Sequence, residues 1–107
     1  MEKSILVLEK NKLFYQKIKK YFEKFNYKVY FRDTNNLIEK IIKKNNIKMI
    51  ILSYQLYKEK TYFLLKKLRK IFKFSIILLN KDDNLSIKLK CFEIGIDDYL
   101  VKPIKVN

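Results

Sequence analysis

Three short stretches, residues 4–8 (SILVL), 49–52 (MIIL) and 75–79 (SIILL), are apolar at successive positions, without the alternation of a half-exposed strand. Successive side chains of a strand point to opposite faces. A strand that is apolar at every position must therefore be covered on both sides. Between these runs the apolar period changes from continuous to helical. Residues 11–25 place Leu13, Phe14, Ile18, Tyr21, Phe22 and Phe25 at helical spacing with lysines opposite, and Asn26 follows as a stop. Residues 27–31 (YKVYF) are aromatic and β-branched and read as strand. A second helix, capped by Asp33 or Thr34, carries Leu37, Ile38, Ile41 and Ile42 on one face and ends near residues 45–46. Residues 48–52 are strand, and residues 60–72 are helix with Leu64, Leu65, Leu68, Ile71 and Phe72 inward. Asp82 or Asp83 caps a last helix running to about Ile94, with Gly95 at its C′ position. Residues 99–101 form a final short strand, broken at Lys102-Pro103.

The order is βαβαβαβαβ. Strands alternating with helices through short connections give right-handed crossovers and a parallel sheet. The expectation is one α/β domain over residues 1–107, a flavodoxin-like (βα)5 three-layer sandwich with strand order 2-1-3-4-5 and its final helix missing or truncated. In such a sheet, sites form at the carboxyl ends of the strands, where strand order reverses. Those ends bring Glu9, Lys10, Ser53, Asn80 and Lys102 to one rim.

Composition narrows what that rim can do. The chain has no His and a single Cys91, which excludes an internal disulfide and leaves no zinc-ligand cluster. Without His, a Ser-His-type triad cannot be built, and nothing in the sequence marks Lys102 as an activating base for Ser53. The first strand–helix turn, Glu9-Lys10-Asn11-Lys12, has no Gly to cradle a phosphate. Only Glu9 brings a carboxylate to the rim at a strand end, and Lys10 beside it opposes a divalent cation. No metal and no Mg²⁺ requirement are expected. The net charge is +14, yet all but two of the 25 basic residues are Lys. Nucleic-acid surfaces favour the arginine fork, so the excess fits AT-rich codon usage better than a polyanion site. No apolar stretch is long enough to span a bilayer, and a cytoplasmic location with no membrane contact is expected.

Four segments, ILVLEKNKLF, MIILSYQLY, SIILLNKDDN and GIDDYLVKPI, in this order and spacing, resemble the landmarks of response-regulator receiver domains of two-component systems. The last is the most specific, through Gly95, Asp97, Asp98, Tyr99, Lys102 and Pro103. The resemblance runs from Ser4 to about Ile104 and is strongest to receivers that precede winged-helix DNA-binding domains. It implies particular roles. Glu9 and Lys10 take the places of the acidic pair that holds Mg²⁺, with one charge reversed. Ser53 takes the place of the phosphoacceptor aspartate, and Asn80 that of the switch hydroxyl. Lys102 and Pro103 match the family's lysine–proline pair, and Tyr99 matches its switch aromatic.

A serine cannot form the acyl phosphate, and three of these positions depart together. The resemblance therefore implies an atypical, phosphorylation-independent receiver that is not an enzyme. It would act as a regulatory or dimerisation module at the N-terminal end of a longer transcription regulator whose separate effector domain touches DNA. Asp97, Asp98 and Lys88 are candidates for a homodimer face; another protein is the other candidate partner. Two alternatives stand beside this: a stand-alone basic protein binding nucleic acid through its Lys faces, and a residual phosphotransfer switch. Lys102 is read either as an anion site or as a salt bridge to Glu9, Tyr99 as a signalling or a half-buried strand residue, and Cys91 as core. Tyr54, Tyr57 and Tyr62 are read either as an interaction face or as ordinary packing.

Overall fold

The computed structural model describes residues 3–34 and 36–103. Five strands, β1 (Lys3–Leu8), β2 (Tyr27–Arg32), β3 (Ile47–Ser53), β4 (Ser75–Asn80) and β5 (Asp98–Val101), form one sheet in the order β2-β1-β3-β4-β5, and all four pairings are parallel. The sheet and its order agree with the α/β reading above. The expected loss of a final helix concerns residues outside the described span.

Helices cover both faces, as the unbroken apolar runs demand. Ile5, Val7, Ile51 and Leu79 face α1 (Lys12–Glu23), whose Ile18, Phe14, Tyr15 and Phe22 pack on them. Leu6, Leu8, Ile50, Leu52, Ile76 and Leu78 face the other way, against α2 (Ile38–Lys44), α4 (Thr61–Ile71) and α5 (Leu85–Ile94). Cys91 is fully buried in that second core.

Between β3 and α4 lie a four-residue helix, α3 (Tyr54–Tyr57), and a 3-10 turn (Lys58–Lys60) that the sequence reading left as connection. Tyr54, Tyr57 and Tyr62 are half-buried, each with part of its ring packed against the larger core.

The helix starts differ from expectation. Asn11 caps α1, accepting from the Phe14 N–H at 3.0 Å, and Asn84 caps α5, accepting from the Ile87 N–H at 2.9 Å. Asp82 and Asp83 lie before that cap. Neither Asp33 nor Thr34 caps α2; its N-cap is Leu37, in the left-handed region at φ 65° with no side-chain bond. Asx side chains near a helix start compete for the cap, and the fold puts the one at the right distance there. Leu37 is exposed and not inward, as are Leu13, Phe25 and Ile71. Leu37 precedes α2 as its N-cap and Phe25 follows the end of α1, so neither lies on a helix face.

Candidate functional site

Parallel topology brings four strand ends to one edge. Glu9 follows β1, Ser53 ends β3, Asn80 ends β4 and Lys102 follows β5. Three of these are almost wholly buried: Glu9 at 1%, Ser53 at 0% and Asn80 at 1% exposure. A buried carboxylate requires a partner, and Lys102 supplies it. Its ammonium donates to Glu9 Oε1 and to Ser53 Oγ, the latter at 2.9 Å. The second carboxylate oxygen, Oε2, accepts from the Lys10 backbone N–H at 2.9 Å. The Lys10 side chain is exposed. Phe14 of α1 lies beneath the Lys102 ammonium, 5.2 Å from ring centroid to Nζ, so the amine is bounded on one side by a ring face. Pro103 follows through a cis peptide bond.

The donor set does not fit a divalent cation. Glu9 is the one carboxylate at the centre, and both of its oxygens already accept hydrogen bonds from the protein. The Lys102 ammonium bonds both Glu9 and Ser53, and its positive charge there opposes a divalent cation. Among the described residues no three His, Cys, Asp or Glu converge on one point.

A second network adjoins the first. Asn80 Nδ2 donates to the Tyr99 hydroxyl at 2.9 Å, and that hydroxyl donates to the Asp82 carbonyl at 2.6 Å. Gln55 Nε2 of α3 donates to Asn80 Oδ1. Tyr99 is buried, not half-exposed, and Lys88 Nζ lies 5.2 Å from its ring centroid. Sequence reading missed Gln55, since a polar residue in an unassigned turn carries no signal of what it will meet.

Of the residues suggested for a dimer face, Asp97 is committed within the chain. Its Oδ2 accepts from Arg69 Nη2 at 2.6 Å and from the Ile76 N–H at 2.8 Å. Arg69 also donates to the carbonyls of Gly95, Phe72 and Phe74 at 2.7, 3.0 and 2.8 Å. Lys88 pairs with Asp83 at 3.0 Å. Asp98 is exposed, and its Oδ1 accepts from the Tyr99 N–H at 2.8 Å.

The response regulator receiver domain pattern matches residues 5–107. The chain belongs to that family. Receivers are the regulatory domains of response regulators in two-component systems, and this one is similar to the response regulator protein GraR of Staphylococcus haemolyticus, 27% identical over 103 residues. That match takes in 96% of this chain and 46% of the relative, and GraR of Staphylococcus aureus strain JH9 matches to the same extent. The receiver thus spans about half the length of the curated relatives it matches. Among solved structures it superposes on a response regulator from Thermotoga maritima with a TM-score of 0.89 at 15% identity, covering 100% of this chain and 90% of that one. The N-terminal receiver domain of RstA from Klebsiella pneumoniae gives a TM-score of 0.80 at 21% identity, covering 97% and 88%. These likenesses carry the fold. Among the described residues no helix is long and apolar enough to cross a membrane.

Proposed function

We propose that this receiver regulates without being phosphorylated, as a module whose pocket is closed by its own side chains. One observation carries the reading: Lys102 Nζ bonds Glu9 and Ser53 together, so an ammonium sits between the groups at the ends of β1 and β3. Ser53, in the place of the acceptor aspartate, offers a neutral hydroxyl that cannot form an acyl phosphate. No step of phosphoryl transfer is assigned to the site, and no metal is required by it. Asn80 and Tyr99 support the same reading, because Asn80 and the Asp82 carbonyl hold the aromatic inward.

The output of such a module is contact. Leu85, Leu89 and Phe92 stand at i, i+4 and i+7 on α5, and they are 65%, 60% and 42% exposed. Three large apolar side chains in a row on the surface favour association with an apolar partner. We assign this row to a homodimer contact with Asp98 at its polar margin, within a transcription regulator whose effector region binds DNA. Asp97 and Lys88, already paired inside the chain, are left out of that contact.

Incubation with acetyl phosphate and Mg²⁺, followed by intact mass spectrometry, tests the closed pocket. The expected result is an unmodified protein. A stoichiometric phosphoryl adduct overturns the proposal.

A further inference from the structure

Away from the strand ends, α4 and α5 leave a groove of about 580 Å³ between them. Tyr62 and Ile94 supply its apolar surface, and Lys66, Lys70, Lys90 and Glu93 its charge. The three ammoniums outnumber the one carboxylate. Among the described residues, none of these lysines forms an ion pair, although Lys43, Lys88 and Lys102 each do. Lys90 is held over the Tyr62 ring at 4.6 Å, which fixes one cation at the mouth. Like charges in excess of their counter-charge repel one another, and an anionic partner relieves that repulsion.

The mount is rigid. Arg69, on the α4 wall, spends its guanidinium on three carbonyls and on Asp97. It fastens the end of α4 to Gly95, at the end of α5, and so fixes the two helix ends that flank the groove. Partners that meet a preformed surface lose less freedom on binding. Phe63, 73% exposed, lies three residues before Lys66 on the outer flank of α4. An exposed aromatic beside unpaired cations is the composition of an anchoring contact.

We infer that this groove docks an acidic segment of a partner protein, its carboxylates meeting Lys66, Lys70 and Lys90 and one apolar side chain packing against Phe63. The surface is separate from both the strand-end pocket and the α5 apolar row, and it operates whether or not the pocket accepts a phosphoryl group.

Fluorescence anisotropy with the intact chain and a labelled twelve-residue Glu/Asp peptide containing one Leu and one Phe tests this. The triple variant K66E/K70E/K90E is compared with K19E/K20E/K24E, which makes the same charge change at the end of α1. All six lysines are exposed, so neither triple places a charge in the core, and circular dichroism checks that both fold. The groove triple is expected to bind about tenfold more weakly and the control less than about threefold, since exposed ion pairs contribute modestly and add up. F63A is expected to weaken binding while leaving its salt dependence unchanged. Equal losses in the two triples would make the attraction a property of net charge and overturn the assignment. So would duplex DNA of equal charge displacing the peptide from the groove, which would mark a general polyanion face.

Discussion

Lys102 is the residue on which the pocket turns. Its ammonium neutralises Glu9, which is 1% exposed and has no other cation within ion-pair distance among the described residues. Lys102→Met leaves that carboxylate buried and alone. The expected cost is about 3–5 kcal/mol, read as a fall in the urea midpoint. The double variant Lys102→Met with Glu9→Met recovers most of the loss, because an apolar pair of similar volume replaces both charges. Recovery absent from the double variant would mean that the damage came from lost packing and not from an orphaned charge. Cys91 reports on the core at the same scale. Burial raises its thiol from about 9 to about 11. The neutral thiol is favoured in the folded state, so the unfolded chain gives up its proton first as pH rises. This contribution to stability is intact below about pH 9 and is lost progressively between about 9 and 11. Its reaction with a disulfide reagent at pH 8 is expected to be slow in buffer and fast in urea; equal rates would place the thiol at the surface. The strand-end residues were legible in the sequence, since a parallel sheet delivers them to one edge by topology. The Lys102–Glu9 salt bridge was one of two readings of that lysine, and the structure has it; choosing between them needs the backbone path after β5, which local sequence does not give.

Among the elements, the strands were legible to within a residue or two because continuous apolar runs have few other solutions in a chain of this length. The caps were less so. Asp82, Asp83 and Asn84 are chemically near-equivalent candidates in the sequence, and only the backbone decides that Asn84 faces the Ile87 N–H. Exposure along α5 was also hidden. The helix is apolar on more than one side, so its periodicity gives no single inward face, and Leu85, Leu89 and Phe92 turn to solvent while Cys91 is buried. Arg69 joins α4 to Gly95 across 26 residues of sequence, beyond any local pattern. Arg69→Met removes four donated bonds and leaves Asp97 with the Ile76 N–H alone. A loss of about 2–4 kcal/mol is expected in chemical denaturation. Hydrogen exchange should rise first in the turn from Phe72 to Ser75 and in residues 94–97, which the guanidinium clasps. Uniform exchange across the sheet would show that Arg69 is not a local fastener.

For the whole molecule, the question is what the α5 row does at concentration. Light scattering is expected to give a mass above that of one chain, and Leu89→Glu should return it to the monomer by placing a charge in the contact. A clean monomer for the unaltered protein would remove the dimer from the proposal while leaving the closed pocket untouched. The basic excess is spread over several helices, so raising salt should change this association little.

Glu9 and Lys102 are separated by 93 positions. On a ribosome the chain emerges amino end first, so the carboxylate of Glu9 leaves the tunnel long before the amine that will neutralise it. Until residue 102 follows, that acid has to stay in water, and the edge of β1 beside it cannot close. The pocket therefore cannot be sealed before Lys102 has emerged, and a chain halted short of it would carry an open, hydrated centre.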